Sequence, residues 1–213
     1  MIEKTRRPVC FFLVWIVCIG MLGGCAAHRH IPENRDNICR LFNEKDDWFK
    51  YADKSARRWG IPIPVMMAII HQESRFNPKA KPPRTTCLCF LPGPRPSSAY
   101  GYAQALDSTW EKYQAATDNW GADRDDFADA VDFVGWYCYQ TRVKCGISAN
   151  DAYSHYLAYH EGQTGFLRKT YQQKGWLLNV AGRVRRQAAT YTRQLSTCEK
   201  ELRDAMKCFL WPF

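Results

Sequence analysis

Pro64-Val65-Met66-Met67-Ala68-Ile69-Ile70-His71-Gln72-Glu73 runs directly into Ser74-Arg75-Phe76-Asn77-Pro78. Pro62 and Pro64 suit the first turn of a helix, and no glycine interrupts the apolar run that follows, so the segment predicts a core helix ending near Glu73. An ionised carboxylate at the inner end of such a helix needs a reason. Either partners cap it, or its surroundings tune it as an acid.

The flanking sequence extends the helical reading. Asp47–Trp59 is acidic first and basic last, as the helix dipole favours, with Gly60 as its stop. Pro78 to Ser98 is proline-rich and predicts a long ordered loop holding Cys87 and Cys89. Helical spacing resumes at Asp107-Ser108-Thr109-Trp110, from Asp125 to Val143, from Asn150 to Tyr159, from Gly165 to Tyr171 and from Leu178 to Leu195. No strand-like alternation longer than a few residues occurs, and the expected class is all-α.

The 213 residues, 46% hydrophobic and 14% aromatic, suffice for one core with extensions. Lys4, Arg6 and Arg7 precede an apolar run from Val9 to Leu22, the layout of a secretory signal. That run closes in Leu22-Gly23-Gly24-Cys25, which resembles a bacterial lipobox and implies cleavage before Cys25 and lipidation of that residue. An uncleaved N-terminal anchor is the alternative; both tether the body to a membrane outside the cytoplasm. Ala26, where the enteric sorting pattern has Asp for inner-membrane retention, makes the outer membrane the expected address. The expected organisation is a signal at 1–24, a lipidated tether at 25–44, a domain at 45–197 with an insertion at 80–98, and a C-terminal extension at 198–213.

Ten cysteines agree with export. Without Cys10, Cys18 and Cys25, seven remain, enough for up to three disulfides of undetermined pairing in an oxidising compartment. Cys138 and Cys145 would lie about 10 Å apart along one helix and could not bridge each other. Cys87-Leu88-Cys89 lacks common zinc spacing, so neither metal nor cofactor is expected. Net charge is +9, or +7 once Glu3, Lys4, Arg6 and Arg7 are removed. Between Gly162 and Cys198 there are seven basic residues and no acidic one, a pattern suited to an anionic polymer, to a membrane surface, or simply to a solvated helix face. The export signal disfavours nucleic acid.

Three segments carry the chemistry: Glu73-Ser74-Arg75-Phe76, Gly101-Tyr102-Ala103-Gln104 and Ala158-Tyr159-His160-Glu161-Gly162. In order and approximate spacing they resemble the signatures of the SLT-type lytic transglycosylases, lysozyme-like helical enzymes that cleave peptidoglycan glycan strands. Phe76-Asn77-Pro78 and Ser108-Thr109-Trp110 support the match. The resemblance implies a lysozyme-like all-α domain in which Glu73 is the catalytic acid and base, cleaving the MurNAc–GlcNAc β-1,4 bond without water to leave 1,6-anhydro ends. It implies that Tyr159 orients Glu73, that Ser74, Phe76, Tyr102, Gln104 and His160 line the substrate, that Gly101 admits a close backbone approach, and that Tyr191 matches a tyrosine near the last core helix. The expected partners are glycan strands, the membrane through the N-terminal lipid, and an envelope machine such as a secretion or conjugation system. His160 departs from the family's asparagine, Glu161 fills its variable position, and the 31 positions from Glu73 to Gln104 exceed the usual spacing by about the length of the Cys87/Cys89 loop. A muramidase using a second carboxylate (Asp107, Glu111, Asp125 or Glu161) and a catalytically silent glycan-binding scaffold are the alternatives.

Overall fold

The computed structural model describes residues 30–87 and 91–210, and its fold is all-α and lysozyme-like. The candidate signal and lipobox, Cys25 included, lie outside the described residues, as do Leu88, Cys89 and Phe90. Seven α-helices follow in order: α1 Ile38–Glu44, α2 Trp48–Trp59, α3 Ile63–Ser74, α4 Asp107–Thr117, α5 Phe127–Cys145, α6 Ala152–Leu167 and α7 Gly175–Leu210. A 3-10 turn, Thr170–Gln173, joins α6 to α7. Within the expected loop, Thr86–Cys87 (β1) pairs antiparallel with Leu91–Pro92 (β2), a short hairpin closed at its base by Thr85 and Pro94. Among the described residues, no helix is long and apolar enough to cross a membrane.

Helix α3 is buried along every residue from Ile63 to Ile70 and forms the centre of the core. Helices α5, α6 and α7 pack around it, and α2 packs across α5. Local chemistry sets the starts of these helices: the Asp126 carboxylate accepts from the amides of Ala128 and Asp129 to open α5, and Asp151 accepts from Ser154 to open α6. Trp48 organises the side of the core nearest the three motif segments. Its indole stacks on Phe127 at 3.7 Å between centroids and meets both Phe76 and Tyr102 at 5.6 Å. The ring is buried, so it is a packing residue.

Two boundaries differ from expectation. The tether expected to reach residue 44 ends earlier, because α1 buries Ile38, Leu41 and Phe42, whose three-to-four spacing makes a core-facing stripe. At the other end α7 continues well past Leu195, because Cys198, Leu202 and Met206 carry its apolar face onward against the core. These two ends of the domain are bonded to each other through a Cys39–Cys198 disulfide with 6.0 Å between Cα atoms. Around it, the Ile38 amide donates to Gln194 Oε1 at 3.0 Å, and Arg203 donates to the buried Asp53 carboxylate at 2.9 Å. Cys138 and Cys145 share α5 and do not bridge each other, as their spacing requires; both are free thiols.

Candidate active site

Glu73 occupies the last turn of α3, and the chain turns away from it through two residues in the left-handed region, Arg75 (φ 51°) and Phe76 (φ 60°). A bulky side chain is held there only by strong packing, and Phe76 is completely buried between Trp48 and His71. The turn thus fixes where Glu73 projects. Burial pushes the Glu73 carboxyl up to about 7, against a smaller lowering by hydrogen bonding from the Tyr156 hydroxyl. Among the described residues, no second carboxylate shifts it.

The other two segments close around this turn. Gly101 (φ 77°) and Gln104 (φ 49°) bracket a tight loop, and Gln104 Nε2 donates to the carbonyls of Gly101 and Ala80, each at 2.9 Å. The Ala103 carbonyl in that loop accepts from the Tyr159 hydroxyl at 2.6 Å, binding the second segment to the third. Trp48 binds the first to the second through Phe76 and Tyr102, and Tyr156, two residues ahead of the third on the same helix, binds that helix to the first through Glu73. The helix carrying both tyrosines breaks at Gly162 (φ 73°, ψ 158°), a backbone conformation open essentially to glycine alone. Helix α6 is thus tied to the last turn of α3 through Tyr156 and to the Gly101–Gln104 loop through Tyr159.

The family model of the transglycosylase SLT domain matches residues 13–198. The chain belongs to the transglycosylase SLT domain family. Membership supports a transglycosylase-type enzyme that acts on peptidoglycan. No curated protein matches the chain.

Several residues matched to the SLT signatures are engaged within the protein itself. Tyr159 donates its hydroxyl to the Ala103 carbonyl while standing within the field of Glu73, and the hydroxyl hydrogen-bonded to Glu73 is that of Tyr156, three residues earlier. Gly101 admits backbone, but the backbone of Arg124: a Cβ at 101 would stand 2.0 Å from the Arg124 carbonyl oxygen, which accepts from the Tyr102 amide at 3.1 Å. Ser74 donates to the Ile70 carbonyl within its own helix at 3.3 Å. Phe76 and Tyr102 are core residues under the site. Tyr191 is wholly buried, with its hydroxyl on the Arg35 carbonyl and its ring edge-on to His71. His71 in turn pairs with Asp36 at 3.3 Å, so the segment ahead of α1 is fastened to the helix that carries Glu73.

His160 and Glu161 separate in role. The Glu161 side chain is only 4% exposed; it takes Lys174 Nζ at 2.7 and 2.9 Å, the Thr170 hydroxyl, and His160 Nδ1 at 3.1 Å. Burial alone would raise this carboxyl, but Lys174, Thr170 and His160 together hold it down at about 2. Glu161 is therefore a fixed anion that clasps the 3-10 turn onto α6, and it is unsuited to proton transfer near neutral pH. Among the other carboxylates considered as partners for Glu73, Asp107 pairs with Arg124 at 2.8 Å and Asp125 accepts from Tyr100 at 3.1 Å.

Tyr156 escaped the sequence reading although its position is informative. It lies three residues before Tyr159, so both rings rise from neighbouring stripes of one helix. Removing its hydroxyl has a predictable sign. The Tyr156 hydrogen bond lowers the Glu73 pKa, so Tyr156→Phe should move the alkaline limb of the rate profile to higher pH while kcat falls about tenfold through lost orientation. A pH series of murein solubilisation rates reads both effects. An unmoved limb would remove Tyr156 from the site.

Proposed function

We propose that this protein is a lytic transglycosylase that uses Glu73 as its single acid and base to cleave the MurNAc–GlcNAc β-1,4 bond and leave a 1,6-anhydroMurNAc end. The observation that carries the reading is a desolvated carboxyl at the end of α3, raised to about 7 and bonded to the Tyr156 hydroxyl, with no carboxylate among the described residues shifting it. Hydrolytic glycosidases place two carboxyl groups across the scissile bond, ~5 Å apart for retention and more for inversion. A lone acid suits a substrate that brings its own nucleophile. Protonated Glu73 donates to the departing O4, the C1–O4 bond breaks with help from the neighbouring N-acetyl group, and the 6-hydroxyl closes on C1. Glu73 takes the 6-hydroxyl proton, so the acid is regenerated and no water is consumed.

The surroundings fit a glycan carrying negative charge. Arg183, exposed on α7, exerts its field on Tyr156 beside Glu73, and it belongs to the acid-free stretch from Gly162 to Cys198. We also place the protein on the periplasmic side of the envelope, anchored through Cys25, facing the wall from the outer membrane and serving an envelope machine. The signal and lipobox pattern support this, and so does a disulfide between the two ends of the domain, which belongs to an oxidising compartment.

Digestion of purified murein followed by mass spectrometry tests the chemistry. Fragments lighter by one water than their reducing counterparts are expected. Reducing ends alone would overturn the reading in favour of a muramidase, and intact murein would leave a glycan-binding scaffold.

A further inference from the structure

Trp176 exposes 56% of its surface at the first turn of α7, yet it is not loosely held. The imidazole of His160 meets its indole edge-on at 5.1 Å between centroids, with the rings inclined at 79°. Both supports of the pair are fixed by one buried anion. Glu161 holds His160 by a hydrogen bond, and it holds Lys174, two residues before Trp176, through both carboxylate oxygens. An exposed indole immobilised in this way has already lost the freedom that binding would otherwise cost it.

Its placement connects it to the site. His160 follows Tyr156 by four residues on α6, so the two share a face, just over one turn or about 6 Å apart along the helix. Tyr156 bonds to Glu73. The step from the acid's partner to the His160–Trp176 pair is thus about the length of one pyranose in a β-1,4 chain. A flat, polarisable face at that distance fits the apolar C–H face of a sugar ring, and the indole and imidazole N–H groups suit its hydroxyls and acetamido oxygen. Where the SLT signature offers one asparagine amide, this chain offers an imidazole that props a tryptophan.

We propose that His160 and Trp176 form a saccharide-stacking subsite of the glycan cleft, taking an N-acetylhexosamine ring next to the scissile linkage. The proposal rests on the reading of Glu73 as the acid of that cleft, and Glu161 and Lys174 act in it as positioning residues.

The test uses binding, so that it does not depend on turnover. The full chain carrying Glu73→Gln is titrated with N-acetylchitohexaose, following tryptophan emission and heat. Adding Trp176→Ala should weaken binding about tenfold and remove most of the emission change, Trp176→Phe should restore most of the affinity, and His160→Ala should fall between. Trp120→Ala, which removes another exposed indole, should alter neither. Affinity within twofold of the parent in Trp176→Ala, or no binding by the parent, would overturn the subsite. Absence of anhydro products from the unsubstituted protein would instead overturn the reading of Glu73, while the oligosaccharide titration still reports on the shelf.

Discussion

Glu73→Gln should slow the release of anhydro-ended fragments from murein by at least ~10²-fold, with the fold retained. Gln keeps the size and hydrogen-bonding capacity of the side chain but cannot deliver a proton to a leaving oxygen. The pH dependence of the parent enzyme has a defined sign. A carboxyl tuned to about 7 is mostly protonated below that pH, so acid-dependent cleavage should decline as pH rises through about 7. Stability follows the same group with a different consequence. The folded pKa lies above the ordinary value of 4.5, so ionising Glu73 costs the folded state nothing below about 4.5, progressively more between 4.5 and 7, and the full amount above. Glu73→Gln removes that cost. It should match the parent's melting temperature near pH 4 and exceed it at pH 8, where the gain is at most about 3 kcal/mol. Thermal melts at both values, beside a murein assay, check the pair of effects. A variant that is inactive and also less stable at pH 8 would mean that Glu73 is a structural ion-pair partner.

The double substitution Cys39→Ser with Cys198→Ser should produce the largest loss of stability of any change outside the core, about 2 to 5 kcal/mol. The cross-link spans 159 positions of sequence, so most of the domain lies inside the loop that it closes. Loop-closure entropy puts the effect of so large a loop near 5 kcal/mol. The hydrogen bonds of Ile38 and Asp36 with Gln194, and the Arg203–Asp53 pair, hold the same ends together without the covalent bond and draw the expected loss toward the middle of the range. For a domain of this size the melting temperature should fall by roughly 5 to 20 °C. Adding reductant to the parent should reproduce the drop, and adding it to the double variant should not. Identical melts for oxidised parent and double variant would refute a stabilising role for the bridge.

The sequence was most informative where chemistry is local. Glu73, Gly101 and Gly162 lie in short segments whose order and spacing resemble a family, α3 follows from its opening prolines and unbroken apolar run, and α5 follows from three-to-four spacing. Roles that depend on helix phase were harder to read. Tyr156 and Tyr159 are one turn apart, and only the packing of α6 against α3 decides which hydroxyl reaches Glu73 and which reaches Ala103. Tyr191 matched by position, yet burial commits its hydroxyl to Arg35. Glu161 stood among the candidate second carboxylates because its partners, Thr170 and Lys174, come nine and thirteen residues later across a break in the helix. The apolar stripe of Ile38, Leu41 and Phe42 was hidden by the polar residues around it. The Cys39–Cys198 pairing was hidden for a stronger reason, since no local pattern specifies a contact at that separation.

The same long-range closure sets an order of events during synthesis. Helix α1 cannot be secured until the chain has been made through Cys198, so the first element of the domain is among the last to be locked. Until then Ile38, Leu41 and Phe42 lack the cover that α7 gives them, with Phe49 of α2 against Phe42, and the growing chain carries an apolar strip near the start of its domain. Release of the chain from whatever holds it open therefore has to wait for its far end.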